Sequence, residues 1–274
     1  MKPLFEVNTS LCIKCGACAA TCPVKIVEFS KGEVPKPVVW AKKVCIDCGH
    51  CVAVCPKGAL SLATMPADAC RQIDANITPS WGAVSQLLRS RRSIRVYQDR
   101  QVEKSEIEKL IHTARYSPTG HNSQSVSWTV VYERSRVEKL KSLTVDWMRK
   151  AYADGAPISK TLGLKGVLMG IDAGNDLILR GAPHIIITHA SKDDRMAPSS
   201  AIITLAYFEL AAKTLGLGTC WAGFMDIAAS FYPPIREAME LLEGHASCSS
   251  MMLGYPKYQY HRIPTRKAPD INWR

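Results

Sequence analysis

The chain has 274 residues, 47% hydrophobic and 22% charged, with a formal net charge of +11. That balance belongs to a folded globular protein and excludes a disordered or fibrous chain. The basic residues are scattered and no Lys/Arg block is interleaved with aromatics, which argues against a nucleic-acid binder; the charge suits a solvated surface or attraction to anions, such as cofactor phosphates or an acidic electron-transfer partner.

Residues 1–11 contain no apolar run of the kind a secretory signal needs. The most apolar stretch, 201–221, is interrupted by Glu209 and Lys213, against a membrane span. A cytoplasmic location is therefore expected, where eleven cysteines stay reduced and metal ligation is the natural use for them.

Eight of those cysteines fall in two matched runs. The first is Cys12-Ile-Lys-Cys15-Gly-Ala-Cys18-Ala-Ala-Thr-Cys22-Pro23, the second Cys45-Ile-Asp-Cys48-Gly-His-Cys51-Val-Ala-Val-Cys55-Pro56, and they share eight identities without a gap. Each copy reads C-x2-C-x2-C-x3-C-P, an internal duplication. Three thiolates two residues apart, on a loop loosened by Gly16 or Gly49, converge on one cubane, while the fourth, followed by proline, points elsewhere. Structural zinc prefers two C-x2-C pairs separated by a longer loop, which fits these runs poorly. Residues 1–64 resemble bacterial two-cluster ferredoxins. The resemblance implies that Cys12, Cys15, Cys18 and Cys55 hold one [4Fe–4S] cluster and Cys45, Cys48, Cys51 and Cys22 the other. The clusters then stand in for a core too small to hold alone. His50 is expected to face solvent from the second loop. Cys70, Cys220 and Cys248 lie outside the pattern as free thiols.

Residues 65–80 hold two prolines and no strong periodicity and read as a linker, followed by a second domain over 81–274. A short helix precedes Arg91. Ile107, Leu110, Ile111 and Ala114 mark an amphipathic helix over about 103–115, and Val137, Leu140, Thr144 and Trp147 another. Strands are expected at 126–132 and 184–189. The helix at 200–215 is apolar on nearly every face, so it is buried in the fold or across a subunit interface. Residues 246–254 are expected to close the sheet as its final strand. The class is α+β. Gly216-Leu-Gly218 lacks the third glycine and the βαβ setting of a Rossmann dinucleotide site.

Three separated segments follow helices: Arg91-Arg92-Ser93-Ile94-Arg95, Ser117-Pro118-Thr119-Gly120-His121-Asn122-Ser123-Gln124, and Gly218-Thr219-Cys220-Trp221-Ala222-Gly223-Phe224. A terminal Gly254-Tyr-Pro with Arg262, Arg266 and Lys267 completes the set. Together they resemble the FMN-dependent nitroreductase family over about residues 80–270. The resemblance implies FMN as cofactor, with Arg91 and Ser93 on the phosphate and Arg92 on the ribityl or ring side. Guanidinium forks suit a phosphate dianion, and Arg262, Arg266 or Lys267 joins them. It also implies that Pro118, Thr119, Gly120, Asn122 and Gln124 border a partner's flavin across a homodimer interface. Trp221, Ala222 and Gly223 carry the backbone N–H groups that approach flavin N5, where small residues avoid a clash. The family commonly continues Asn-x-Gln with Pro-Trp, whereas this chain has Ser125-Val126-Ser127-Trp128. The function implied is a flavin oxidoreductase fed through its own ferredoxin domain. It would act on a flat electron-poor molecule such as a nitroaromatic or quinone, with ferredoxin or NAD(P)H as donor and no catalytic side chain demanded. The alternatives are a non-catalytic electron carrier or redox sensor, or another reaction of the superfamily such as reductive dehalogenation or flavin breakdown.

Overall fold

The computed structural model describes residues 3–274. Contacts divide the chain into two units, Met1–Thr78 with His121–Ser123, and Pro79–Gly120 with Gln124–Arg274.

The first unit is built from short pieces: β1 (Phe5–Val7), α1 (Ala17–Thr21), β2 (Val27–Glu28), β3 (Lys36–Pro37), α2 (Ala41–Val44), α3 (His50–Ala53) and β4 (Leu60–Leu62). Strand β1 pairs antiparallel with β4, Phe5 opposite Leu62, and β2 pairs with β3. The duplicated sequence produces a duplicated backbone. Lys14 and Asp47, at equivalent positions, have φ of 56° and 51°, and Gly16 and Gly49 have φ of 75° and 70°. A left-handed glycine is the low-strain way to turn each cysteine loop into the helix that follows, α1 or α3. The core here is small: Phe5, Ile26, Val27, Val52, Leu60 and Leu62 pack with the buried Cys18 and Cys22. Met65, Ala67 and Cys70 pack against it, so this part of the linker segment lies on the first unit.

The second unit contains α4 (Trp81–Ser90), α5 (Lys104–Ala114), β5 (Ser127–Val131), α6 (Arg134–Ala153), α7 (Pro157–Thr161), α8 (Leu164–Asp172), β6 (His184–Ser191), α9 (Ala197–Thr214), β7 (Gly218–Trp221), α10 (Gly223–Phe231), α11 (Pro233–Ala238) and β8 (His245–Gly254). Its antiparallel sheet has the order β5-β6-β8-β7. The last strand in sequence therefore lies inside the sheet, between β6 and β7. The mixed helix and sheet content gives the α+β class expected from the sequence.

Alternate residues of β6 serve opposite faces. Ile185 and Ile187 pack with Val137, Leu140, Leu164 and Met225 from α6, α8 and α10. Ile186 points the other way, towards Leu110, Leu205 and Phe208 from α5 and α9. Helices on both faces explain why seven successive positions, from His184 to Ala190, are buried. Helix α9 buries Ala201, Leu205, Phe208 and Ala212 but leaves Ile202, Ile203 and Tyr207 at 50%, 39% and 45% exposure. No helix among the described residues is long and apolar enough to cross a membrane.

Candidate functional site

The cysteines gather as the sequence pattern requires. One cavity is lined by Cys12, Cys15, Cys18 and Cys55. A second is lined by Cys22, Cys45, Cys48 and Cys51. The final cysteine of each run has crossed to the other run's cavity because the proline after it turns the chain away. Four thiol sulfurs around each of two compact, largely apolar hollows fit a pair of cubane clusters. Burial raises the Cys18 thiol above its ordinary value and pushes that of Cys51 up to about 11. At Cys55 burial acts the same way but is outweighed by backbone N–H donors, and the thiol is lowered; Ala59 N–H reaches Cys55 Sγ at 3.2 Å. His50 is exposed and sits on the second cavity's rim.

In the second unit, a cavity of about 490 Å3 opens between the C-terminal end of α4, the end of α9, the start of β7 and residues 256–260. That is a volume suited to a cofactor. Gly218 makes its tight wall, since a Cβ there would stand 2.5 Å from Ile94 Cγ1 and 2.8 Å from Pro256 Cγ. A neighbouring cavity of about 480 Å3 is lined by Arg89, Arg91, Arg92 and Arg266. Arg91 and Arg92 line both cavities, while Arg262 and Lys267 line neither. Glu209, 7% exposed on α9, is the counter-charge: its Oε1 accepts from Arg91 at 3.0 Å and from Thr219 at 3.4 Å. Lys213 Nζ donates to Ser90 O at 3.2 Å and fixes the end of α4. Four guanidinium groups around one hollow, only one of them paired to a buried carboxylate, leave a surplus of positive charge that suits a phosphate. Ser93 lines neither cavity, and its side chain offsets part of the rise that burial gives the Cys220 thiol.

The segment 117–124 lies elsewhere. Ser117 Oγ and Thr204 Oγ1 are 2.6 Å apart, and Gly120 N–H reaches Ser200 Oγ at 3.5 Å, so the loop is laid on the N-terminal half of α9. Thr119 Oγ1 accepts from Gln124 N–H at 3.1 Å and closes the loop. Asn122 belongs to the first unit, where its amide donates to the carbonyls of Ile46 and Asp47 at 3.3 and 3.0 Å. Pro118, Thr119, Gly120, Asn122 and Gln124 are not among the residues lining either arginine-bearing cavity.

At the turn after β7, Ala222 is 2% exposed and its N–H donates to Ser250 O at 3.0 Å, so that amide already serves the sheet. A Cβ at Gly223 would meet nothing within 4 Å. The backbone is bare on that side, as a flat ring lying against it would need. Trp221 is half-buried against the α5–α9 side of the sheet. Five residues after Trp221, Asp226 ties α10 to β8. Its Oδ2 accepts from Ser249 Oγ at 3.0 Å and from Ser250 N at 2.9 Å. Burial holds this carboxyl above the usual range, and the serine hydrogen bonds offset part of that rise. Sequence reasoning did not find Glu209, Lys213 or Asp226 as site residues. The available signal was two charges inside the otherwise apolar 200–215 helix; for Asp226 there was none.

The model of the nitroreductase family matches residues 88–255, and that of a 4Fe-4S dicluster domain matches residues 11–59. A protein of Archaeoglobus fulgidus, provisionally named an NADH dehydrogenase/NAD(P)H nitroreductase, is 28% identical over 67% of this chain and 92% of its own length. Two solved nitroreductases described with bound FMN share the fold. The one from Bacteroides fragilis is 20% identical with a TM-score of 0.56, and the one from Desulfitobacterium hafniense is 17% identical with 0.55. Each likeness covers 69% of this chain and 97% of the other.

Proposed function

Because this chain belongs to the nitroreductase family and carries a 4Fe-4S dicluster domain, we propose that it is an FMN-dependent oxidoreductase. In this proposal electrons pass through two [4Fe–4S] clusters to FMN and on to a small, flat, electron-poor acceptor, a nitroaromatic or a quinone. The observation that carries it is the sorting of eight cysteines into two cavities, four and four, in a chain whose other unit gathers arginines around a cofactor-sized hollow.

Bound FMN supplies the exchange between one-electron and two-electron chemistry. The protein's own part is to bind and orient. Arg92 and Arg266 hold the phosphate, with Arg91 steadied by Glu209 so that its guanidinium is presented at a fixed angle. The bare backbone at Gly223 accepts the ring, and Trp221 borders the acceptor's side. No side-chain acid or base is required. A second copy of the chain covers Ile202, Ile203 and Tyr207 on α9 and receives the adjoining 117–124 loop, giving a homodimer. Reduced ferredoxin or NAD(P)H is the donor.

Purified without oxygen, the protein is expected to reduce a nitrobenzene derivative and a quinone with at least one of these donors. Cys48→Ser is expected to abolish ferredoxin-driven turnover. Bound FMN with no turnover from any donor would overturn the enzymatic assignment.

A further inference from the structure

The cysteine duplication contains its own internal comparison, because equivalent positions of the two copies can be matched residue by residue. Lys14, between Cys12 and Cys15, corresponds to Asp47, between Cys45 and Cys48. Lys57, two residues after Cys55, corresponds to Val24, two residues after Cys22. Since Cys55 crosses to the first cavity, both lysines end at the same site. Lys14 and Lys57 line the cavity of Cys12, Cys15, Cys18 and Cys55. The cavity of Cys22, Cys45, Cys48 and Cys51 has Val24 and Ile46 on its wall, the exposed His50 as its one titratable group besides the cysteines, and no lysine, arginine or carboxylate among its lining residues. Asp47 stands beside it, held by Thr64 Oγ1 at 2.6 Å. The first site also has the Ala59 N–H aimed at a ligand sulfur, 3.2 Å from Cys55 Sγ.

These charges matter because a four-thiolate cluster is anionic and becomes more so on reduction. The step adds one electron and breaks no bond, so its free energy is set by the surrounding charges and hydrogen bonds. An ammonium or an N–H···S donor stabilises the reduced form, and a carboxylate opposes it. These three differences act in the same direction, while His50, which takes the place of Ala17 at the second cavity's rim, is the lining difference that opposes them. Resting on the cluster-binding assignment above, we infer that the two cluster sites are electrostatically unequal: the first is the more easily reduced, and Lys14, Lys57 and Asp47 set that order. A chain given one electron by a one-electron reductant then carries it on the Cys12/Cys15/Cys18/Cys55 cluster, and the second cluster is filled only at lower potential. Both lysines are exposed, so salt screens part of the difference.

The test is a redox titration of the intact holoprotein with dithionite and mediators, followed by electron paramagnetic resonance. Two separated reduction waves are expected, drawing together at high salt. Lys57→Glu, at an exposed position, should lower the upper wave and leave the lower one. Asp47→Asn should raise the lower wave alone. The exchange Lys14→Asp with Asp47→Lys should bring the waves together or invert their order. Lys57→Gln should give a smaller shift than Lys57→Glu, in the same direction. Coincident waves in the wild type, or a Lys57→Glu shift confined to the lower wave, would overturn the inference. Iron and sulfide content, measured on every sample, separates this failure from failure of the cluster assignment itself. Full loading with unmoved waves counts against the inference, and a wild type lacking one cluster counts against the assignment.

Discussion

The two units of this chain are held together by different physics. In the first, among the described residues, no strand exceeds three residues, no helix exceeds five, and two of the prospective metal ligands, Cys18 and Cys22, form part of the core. In the second, helices of 18 and 20 residues cover both faces of a sheet whose central strands are buried over most of their length. A fold organised by ligation has its stability in sulfur–metal bonds, whereas a fold organised by apolar burial has it spread over many contacts. The two units should therefore fail independently and for different reasons.

Removal of iron with a chelator gives the largest expected effect. Hydrogen exchange should show residues 5–62 losing protection almost completely, while α5 and α9 keep theirs. Equal loss in both units would break the comparison. Next comes Phe208→Ala, which removes a fully buried ring from the layer between α9 and the sheet. It should cost about 3–5 kcal/mol, lowering the melting temperature of the second unit while iron content stays constant.

A smaller effect is expected for cofactor affinity. Arg266→Ala should weaken FMN binding by roughly tenfold to a hundredfold, the value of one charge-assisted contact, and Lys267→Ala should change it little. Flavin fluorescence titration distinguishes them, and the reverse ranking would remove the arginine cavity from the phosphate site.

The smallest effect concerns Asp226. Its carboxyl is raised in the folded state, above 3.8, chiefly by burial. Stability is therefore unaffected below that unfolded value and falls as pH rises from there through the folded value, after which the penalty is constant. Asp226→Asn removes this slope, so melting temperature compared at pH 4 and pH 8 should favour the variant more at pH 8. A variant disadvantage that grows with pH would reverse the sign.

How legible each unit was in the sequence follows from the same contrast. Cluster ligation leaves its mark in cysteine spacing, so the two runs stand out in the sequence; the exchange of Cys22 and Cys55 between them is what the resemblance to two-cluster ferredoxins implies, and the structure lines two cavities with the same sets. Helices α5 and α6 were legible because a 3.6-residue period survives wherever one face is buried, and α9 was legible as a stretch apolar on nearly every face. Strand β7 was not, being four residues that begin at a glycine. The interior place of β8 was not legible either, since periodicity reports which face of a strand is buried and not which strand lies beside it. Among the flavin-linked residues, Arg91, Arg92 and Arg266 come together at one cavity, whereas Ser93 is not among its lining residues and Asn122 binds the second cysteine loop. Which way such side chains turn depends on partners distant in sequence, Glu209 for Arg91 among them.

The most direct test of the central claim is the cofactor content of the anaerobically purified chain. Two four-iron clusters and one flavin require about eight irons, eight acid-labile sulfides and one FMN per chain. About two zinc ions in place of the iron, or no flavin after gentle reconstitution, would contradict it.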